Sequence, residues 1–356
     1  MTQSDLPTQP VRSPRESKLA RAMPLITLLL LSPIIAEVLF GSTSISTLYV
    51  LLPEIGIWGC GALLIRGLVC SRKLGWPSVL LLGIALAVAE ECVIQQTSFA
   101  PLPWLDPQHL YGRAWGVNWI YLLFQLGYES IWAVALPLQL TELLFPSRRA
   151  DPWIGRRGLL IAASVFLLCS LVAWYSWTQV VIPTVFHRPI YHPALLTVVI
   201  ALLAIVALGA FALNPHPSSR PKPALVRAVP PPWFVGLGAF VLSLLWFVLL
   251  LLSSGVAEAF PPVILMGGGL LEALAAFFLI NFWSASSAWR DTHRLALVFG
   301  ACVANMLAGF LLRVVVMPID VIGKLVLNVI AVLLLITLVG RLCRSVRQTR
   351  STSRVP

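Results

Sequence analysis

The chain has 356 residues, of which 58% are apolar and only 11% charged, and it carries a formal net charge of +11. Soluble domains carry about 25% charged residues, so a water-soluble core is excluded, and hydrocarbon must take the place of a single globular interior. Nucleic-acid binding is excluded as well, because the positive charge belongs to loops and tails and no soluble basic face exists to present it.

In chain order, residues 1–23 form a basic tail with Arg12, Arg15, Lys18 and Arg21. The apolar run that follows contains Glu37 and lacks a small-x-small cleavage site, so it reads as an uncleaved first span and not as a signal peptide. Ten spans are predicted, at residues 24–40, 47–69, 76–99, 117–144, 158–182, 194–213, 233–254, 262–284, 294–316 and 322–342. Runs of this length specify helices, because barrel strands would alternate over about ten residues. The expected fold is therefore an all-α polytopic bundle. Its organisation is six spans in 24–213, a Pro-rich and basic cytoplasmic linker at 214–232, four spans in 233–342 and a second basic tail at 343–356. The two groups of spans share only a Gly followed by a Glu (Gly83 with Glu90, Gly268 with Glu272), which is too little for an internal repeat.

Twenty of the 25 basic residues fall on one side of this threading: the first tail, Arg72 and Lys73, Arg148, Arg149, Arg156 and Arg157, the linker, Arg290 and Arg294, and Arg341 with the final tail. The other side receives Arg113 and Arg188. The positive-inside rule then predicts a cell-membrane protein with both termini cytoplasmic, in contact with membrane lipid. Trp76, Trp115, Trp119, Trp153, Trp233 and Trp283 lie near span ends, as interfacial anchors do. The six cysteines form no CxxC pair and no histidine stands at ligand spacing, so neither a disulfide framework nor a metal site is expected. His109, His187 and His192 read as loop residues.

The chemistry lies in the ionisable residues of the spans, since a charge at bilayer centre costs about 2.5–3.5 kcal/mol on the insertion scale. Threading places Glu37, Glu54, Glu90 and Glu91 in the outer half and Glu129 near the midplane, with Arg313, Lys324 and Asp320 close to the same outer level. In span three, Ala87, Glu91, Gln95 and Ser98 recur at helical spacing. In span four, Asn118, Tyr121, Gln125, Tyr128 and Trp132 do the same, with Glu129 beside them. Two polar faces that oppose each other are the expectation. The candidate binding set is Glu54, Glu90, Glu91, Gln95, Gln125, Tyr128, Glu129 and Arg313, around a polar cavity among spans one to four that opens outward. Glu37, near the interface, is read as structural. Glu142, beside Arg148 and Arg149, is read as an interfacial ion pair.

Glu90 and Glu91 resemble the first motif, EExxxR, of the CAAX-processing and bacteriocin-processing intramembrane proteases, and Phe124 with Tyr128 falls where that family has FxxxH. The resemblance covers about forty residues and implies peptide hydrolysis by glutamate-activated water, with Glu90 and Glu91 as bases. Gln95 stands in place of the arginine, Tyr128 in place of the histidine, and no HxxxN or HxxxD follows in a later span. More broadly, the string from Glu54 to Arg66, then Glu90 and Glu91, then Tyr111 to Trp119, resembles a group of uncharacterised bacterial multi-pass membrane proteins, which implies topology and no activity. No Walker motif, dinucleotide fingerprint, HExxH or GxSxG is present, and no cofactor is expected. Three readings follow: binding or transport of a small solute or ion at the glutamates, an intramembrane hydrolase with altered motifs, or a non-catalytic scaffold.

Overall fold

The computed structural model describes residues 17–106, 110–214, 228–253, 260–315 and 317–352. The tail with Arg12 and Arg15, His109, most of the linker and the last four residues lie outside the described residues. Ten helices among the described residues are long and apolar enough to cross a membrane: α1 Leu19–Val38, α2 Ile45–Ser71, α3 Trp76–Ile94, α4 Trp119–Leu144, α5 Arg156–Thr184, α6 Leu195–Leu213, α7 Pro232–Ser253, α8 Pro262–Ser284, α9 Asp291–Leu311 and α10 Pro318–Arg344. The chain is thus an all-α polytopic bundle.

Two expected ends move inward. α3 stops at Ile94 and not at residue 99, because Gln96 takes a left-handed backbone (φ +60°), and α9 stops at Leu311 because Arg313 does the same (φ +51°). α10 starts four residues early, at Pro318, whose fixed φ and missing N–H suit a first helical turn. Ser98 and Asn118 consequently lie outside the helices to which their spacing assigned them. The only strands among the described residues, β1 Arg113–Ala114 and β2 Val117–Asn118, form an antiparallel ribbon at the end of the bundle opposite the basic loops. Its two-residue turn has Trp115 and Gly116 at φ +51° and +78°, the left-handed pair that suits the twist of a tight hairpin.

α3 and α4 are the most buried spans, and α8 is the barest. Close approach is set by small residues, since apolar side chains gain nothing from leaving lipid for one another. α7 crosses α9 where a Cβ on Gly300 would lie 2.0 Å from the Gly236 carbonyl oxygen. α3 crosses α4 where a Cβ on Gly83 would lie 2.9 Å from Ser130 Cβ.

Five helices contain a widened π turn, in which an N–H reaches back five residues and not four: Ile34–Val38, Ile55–Gly59, Ala89–Ile94, Glu129–Ala135 and Ser176–Val181. Such turns leave carbonyls without their usual partners. In α1, α2 and α4, donors from neighbouring helices take them up. In α1, Asn305 Nδ2 donates to the Ile35 oxygen (2.7 Å) and the Tyr128 hydroxyl to that of Ala36. The buried Ser32 hydroxyl serves the widened turns of α2 and α4 together, through the oxygens of Trp58 (3.1 Å) and Ala133.

Candidate functional site

Glu37, Glu90, Glu91 and Glu129 lie within these widened turns, and Glu54 immediately precedes one. A π turn rotates the residues beyond it relative to a regular helix, so strict 3.6-residue spacing does not decide which acids meet. The Gly83–Ser130 crossing fixes the register of antiparallel α3 and α4. Two turns further along α3, Glu91 comes opposite Gln125 and Tyr121, which precede Ser130 on α4.

Glu91 is 2% exposed and well supplied with donors. Gln125 Nε2 donates to Oε1, the Tyr121 hydroxyl stands 3.5 Å from the same oxygen, and the Ser98 hydroxyl donates to Oε2 at 3.1 Å. Glu90 and Glu129, 1% and 2% exposed, are less well served: Glu90 Oε1 and Glu129 Oε2 have no hydrogen-bond partner. Gln95 and Glu129 stand beside the Glu90 side chain. One carboxylate oxygen from each of Glu90, Glu91 and Glu129 lies within 4.8 Å of the others. Sequence spacing predicts no metal site, but this all-oxygen set from two helices has the composition that hard cations prefer.

Glu37 and Glu54 extend the group toward the surface. Both are half-buried; Ser42 donates to the Glu37 carboxylate and Thr43 to Glu54 Oε1, while Glu54 Oε2 has no partner.

Of the candidate set, Glu90, Glu91, Gln95, Gln125 and Glu129 come together, and Tyr121 and Ser98 join them. Glu54 stands at the edge of the group. Tyr128 belongs to an aromatic ladder with Phe124 and Trp132, at centroid separations of 5.4 and 5.3 Å, and its hydroxyl serves Ala36 and not an acid. Arg313 does not complete the site: it is exposed on the turn after α9, and no bond joins it to an acid among the described residues. Lys324, the other basic residue at that level, is buried in a cage of carbonyls from Leu39 (3.0 Å), Phe40 (2.6 Å) and Met306 (3.2 Å), with its Nζ 4.3 Å from the Phe310 ring centroid. These oxygens lie at or near the ends of α1 and α9, where the helix dipole favours a cation.

No protein-family model, curated protein or solved structure matches the chain. At the basic end, Glu142 pairs with Arg66 (3.6 Å), and Arg148 pairs with Asp151 (2.7 Å). Arg66 also lies 3.8 Å over the Trp153 ring and donates to the Arg149 carbonyl at 2.7 Å. Arg66 lies near the cytoplasmic end of the predicted span 47–69, where its sequence position does not mark Glu142 as its partner.

Proposed function

We propose that this is a multi-pass cell-membrane protein, with both termini in the cytoplasm, that binds a small cation or protons at Glu90, Glu91 and Glu129 and uses the site to move a solute or ion. The observation that carries the reading is the orphaned oxygens of Glu90 and Glu129 within a buried triad of acids. Carboxylates packed this closely away from water need protons or a cation between them. A scaffold in which every charge is paired would leave no such atoms. Placing the basic loops in the cytoplasm puts Glu37, Glu54 and the triad toward the outer side.

The test is infrared difference spectroscopy of the full chain in nanodiscs, following the carboxyl stretch as pH is stepped and as Na⁺, Mg²⁺, Ca²⁺ or Mn²⁺ is added. A carboxyl band that responds to pH or to a cation and is lost in Glu90→Gln and Glu129→Gln supports the reading. A spectrum that responds to neither, or that both variants leave unchanged, refutes it.

A further inference from the structure

At the basic end of the bundle, an open cavity of ≈580 Å³ lies between the first turn of α1 and the loop that joins α4 to α5. Its wall is Arg21, Ser147, Arg148, Asp151, Pro152 and Trp153. The loop is firmly held. Trp153 Nε1 donates to the Arg148 carbonyl (2.9 Å), Arg66 Nη2 donates to that of Arg149 (2.7 Å), and the Arg66 guanidinium lies 3.8 Å over the Trp153 ring. Arg66 is itself paired with Glu142 at 3.6 Å, so an ion pair between two spans fixes the Trp153 side of the cavity.

Charge and position define what fits. The wall carries two guanidinium groups and one carboxylate, and that carboxylate is already engaged, since Arg148 Nε donates to Asp151 Oδ2 at 2.7 Å. Arg21 is exposed, and its side chain makes no hydrogen bond or ion pair with a described residue, so one cation of the wall is uncompensated and within reach of a ligand. Ser147 is exposed as well and adds a hydroxyl without a bond to a described residue, while Arg156 and Arg157 stand exposed just beyond the wall at the start of α5. The wall is made of the ends of membrane spans and the loop between them, and the exposed apolar side chains of Leu19, Leu144 and Leu160 begin within a few residues of it. The cavity therefore opens where hydrocarbon gives way to lipid headgroups.

We infer that this cavity seats the headgroup of an anionic phospholipid, with the phosphate on Arg21, Arg148 and Ser147 and the acyl chains in the surrounding leaflet. Guanidinium groups match phosphate oxygens through paired N–H donors, and basic hollows between spans at the positively charged face of a membrane protein suit anionic headgroups. The volume falls within the roughly 300–1,000 Å³ of small-molecule sites. A bare phosphate would fill only a small part of it, whereas a phosphate esterified on both sides occupies far more. A zwitterionic headgroup would set its own ammonium beside Arg21 and lose most of the gain. The site shares no residue with the acids of α3 and α4.

The experiment is a native mass spectrometry titration of the full chain in neutral detergent with dioctanoyl phosphatidylglycerol, and with dioctanoyl phosphatidylcholine as the zwitterionic lipid of the same chain length. The anionic lipid is expected to bind saturably and the zwitterionic one about tenfold more weakly, the factor set by one charge-assisted contact. Arg21→Gln should weaken the anionic lipid by a similar factor, while Arg21→Lys retains part of the affinity. Ser147→Glu, which puts a negative charge on the exposed wall, should weaken it as well, even if Arg21→Gln fails to fold. Arg341→Gln, exposed at the same end but outside the cavity, should leave binding unchanged. Equal binding of the two lipids, full binding by Ser147→Glu, or an equal loss in Arg341→Gln would overturn the proposal. Competition by inorganic phosphate or glycerol 3-phosphate at the concentrations where the lipid binds would also overturn it, since the ligand would then be a soluble phosphate and not a lipid.

Discussion

Replacing Glu129 by Gln removes one of three acids while keeping its size. With reacting oxygens no more than 4.8 Å apart, two ionised carboxylates repel by about 3.5 kcal/mol at an effective dielectric constant of about 20. Without a cation the variant should therefore be as stable as the parent or more so, with about 3.5 kcal/mol as the gain if both Glu129 and a neighbour are ionised in the parent. A cation behaves oppositely. At about a hundred times its dissociation constant it stabilises the parent by about 2.7 kcal/mol, and an about tenfold loss of affinity in the variant removes about 1.4 kcal/mol of that. Thermal unfolding in nanodiscs, with and without each cation, measures both quantities. A variant that is less stable without cation and keeps the parent's full cation response would refute the reasoning, since the acid would then be a structural hydrogen-bond partner and not a ligand.

Three further outcomes are expected. Gly300→Val drives a side chain into the Gly236 carbonyl, 2.0 Å from the new Cβ, and should lower stability by about 1–3 kcal/mol or more through overpacking; Gly238→Ala, with open space around it, should be close to neutral in the same thermal scan. Arg66→Met leaves Glu142 without its partner at 3.6 Å and should cost about 3–5 kcal/mol, and the double variant with Glu142→Gln should recover most of that; a double variant as unstable as the single one rules out the pair as the cause. Single cysteines at Lys73 and at Trp115, in a background without the native thiols, should label from opposite sides of intact cells, the second from outside; labelling of Lys73→Cys from outside would reverse the proposed topology.

The spans were legible because the requirement is crude: hydrocarbon demands about twenty apolar residues in succession whatever their order. Part of the site was legible for a related reason, since Glu91 and Gln125 are costly in lipid and each sits on a stripe of polar or small residues. The remainder depended on backbone irregularity and on distant partners. Nothing in Ile34–Val38 or Ala89–Ile94 announces an extra residue per turn, yet Glu37, Glu90 and Glu91 all lie within those turns. Arg313 was misjudged because its left-handed backbone ends α9 before the charge reaches the acids. Lys324 is satisfied by carbonyls, which every residue type carries, so no sequence pattern marks its cage. The cavity wall from Ser147 to Trp153 belongs to a connecting segment that helical periodicity does not describe.

The widened turns of the core differ in how they are held. Those of α1, α2 and α4 are riveted from outside by Asn305, Tyr128 and Ser32. The backbone of α3 closes on itself: Gln95 N–H returns to the Glu90 oxygen at 2.8 Å and the Gln96 amide to the Val93 oxygen at 3.5 Å, with no donor from a different span to these carbonyls among the described residues, while Gln125 of α4 holds the Glu91 side chain. The extra residue in α3 turns the side chains beyond it away from the directions a regular helix would give them, since each residue advances about 100° about the axis. Glu91 keeps its direction through Gln125 of α4, so a side-chain bond between two spans does there what backbone carbonyl bonds do in α1, α2 and α4.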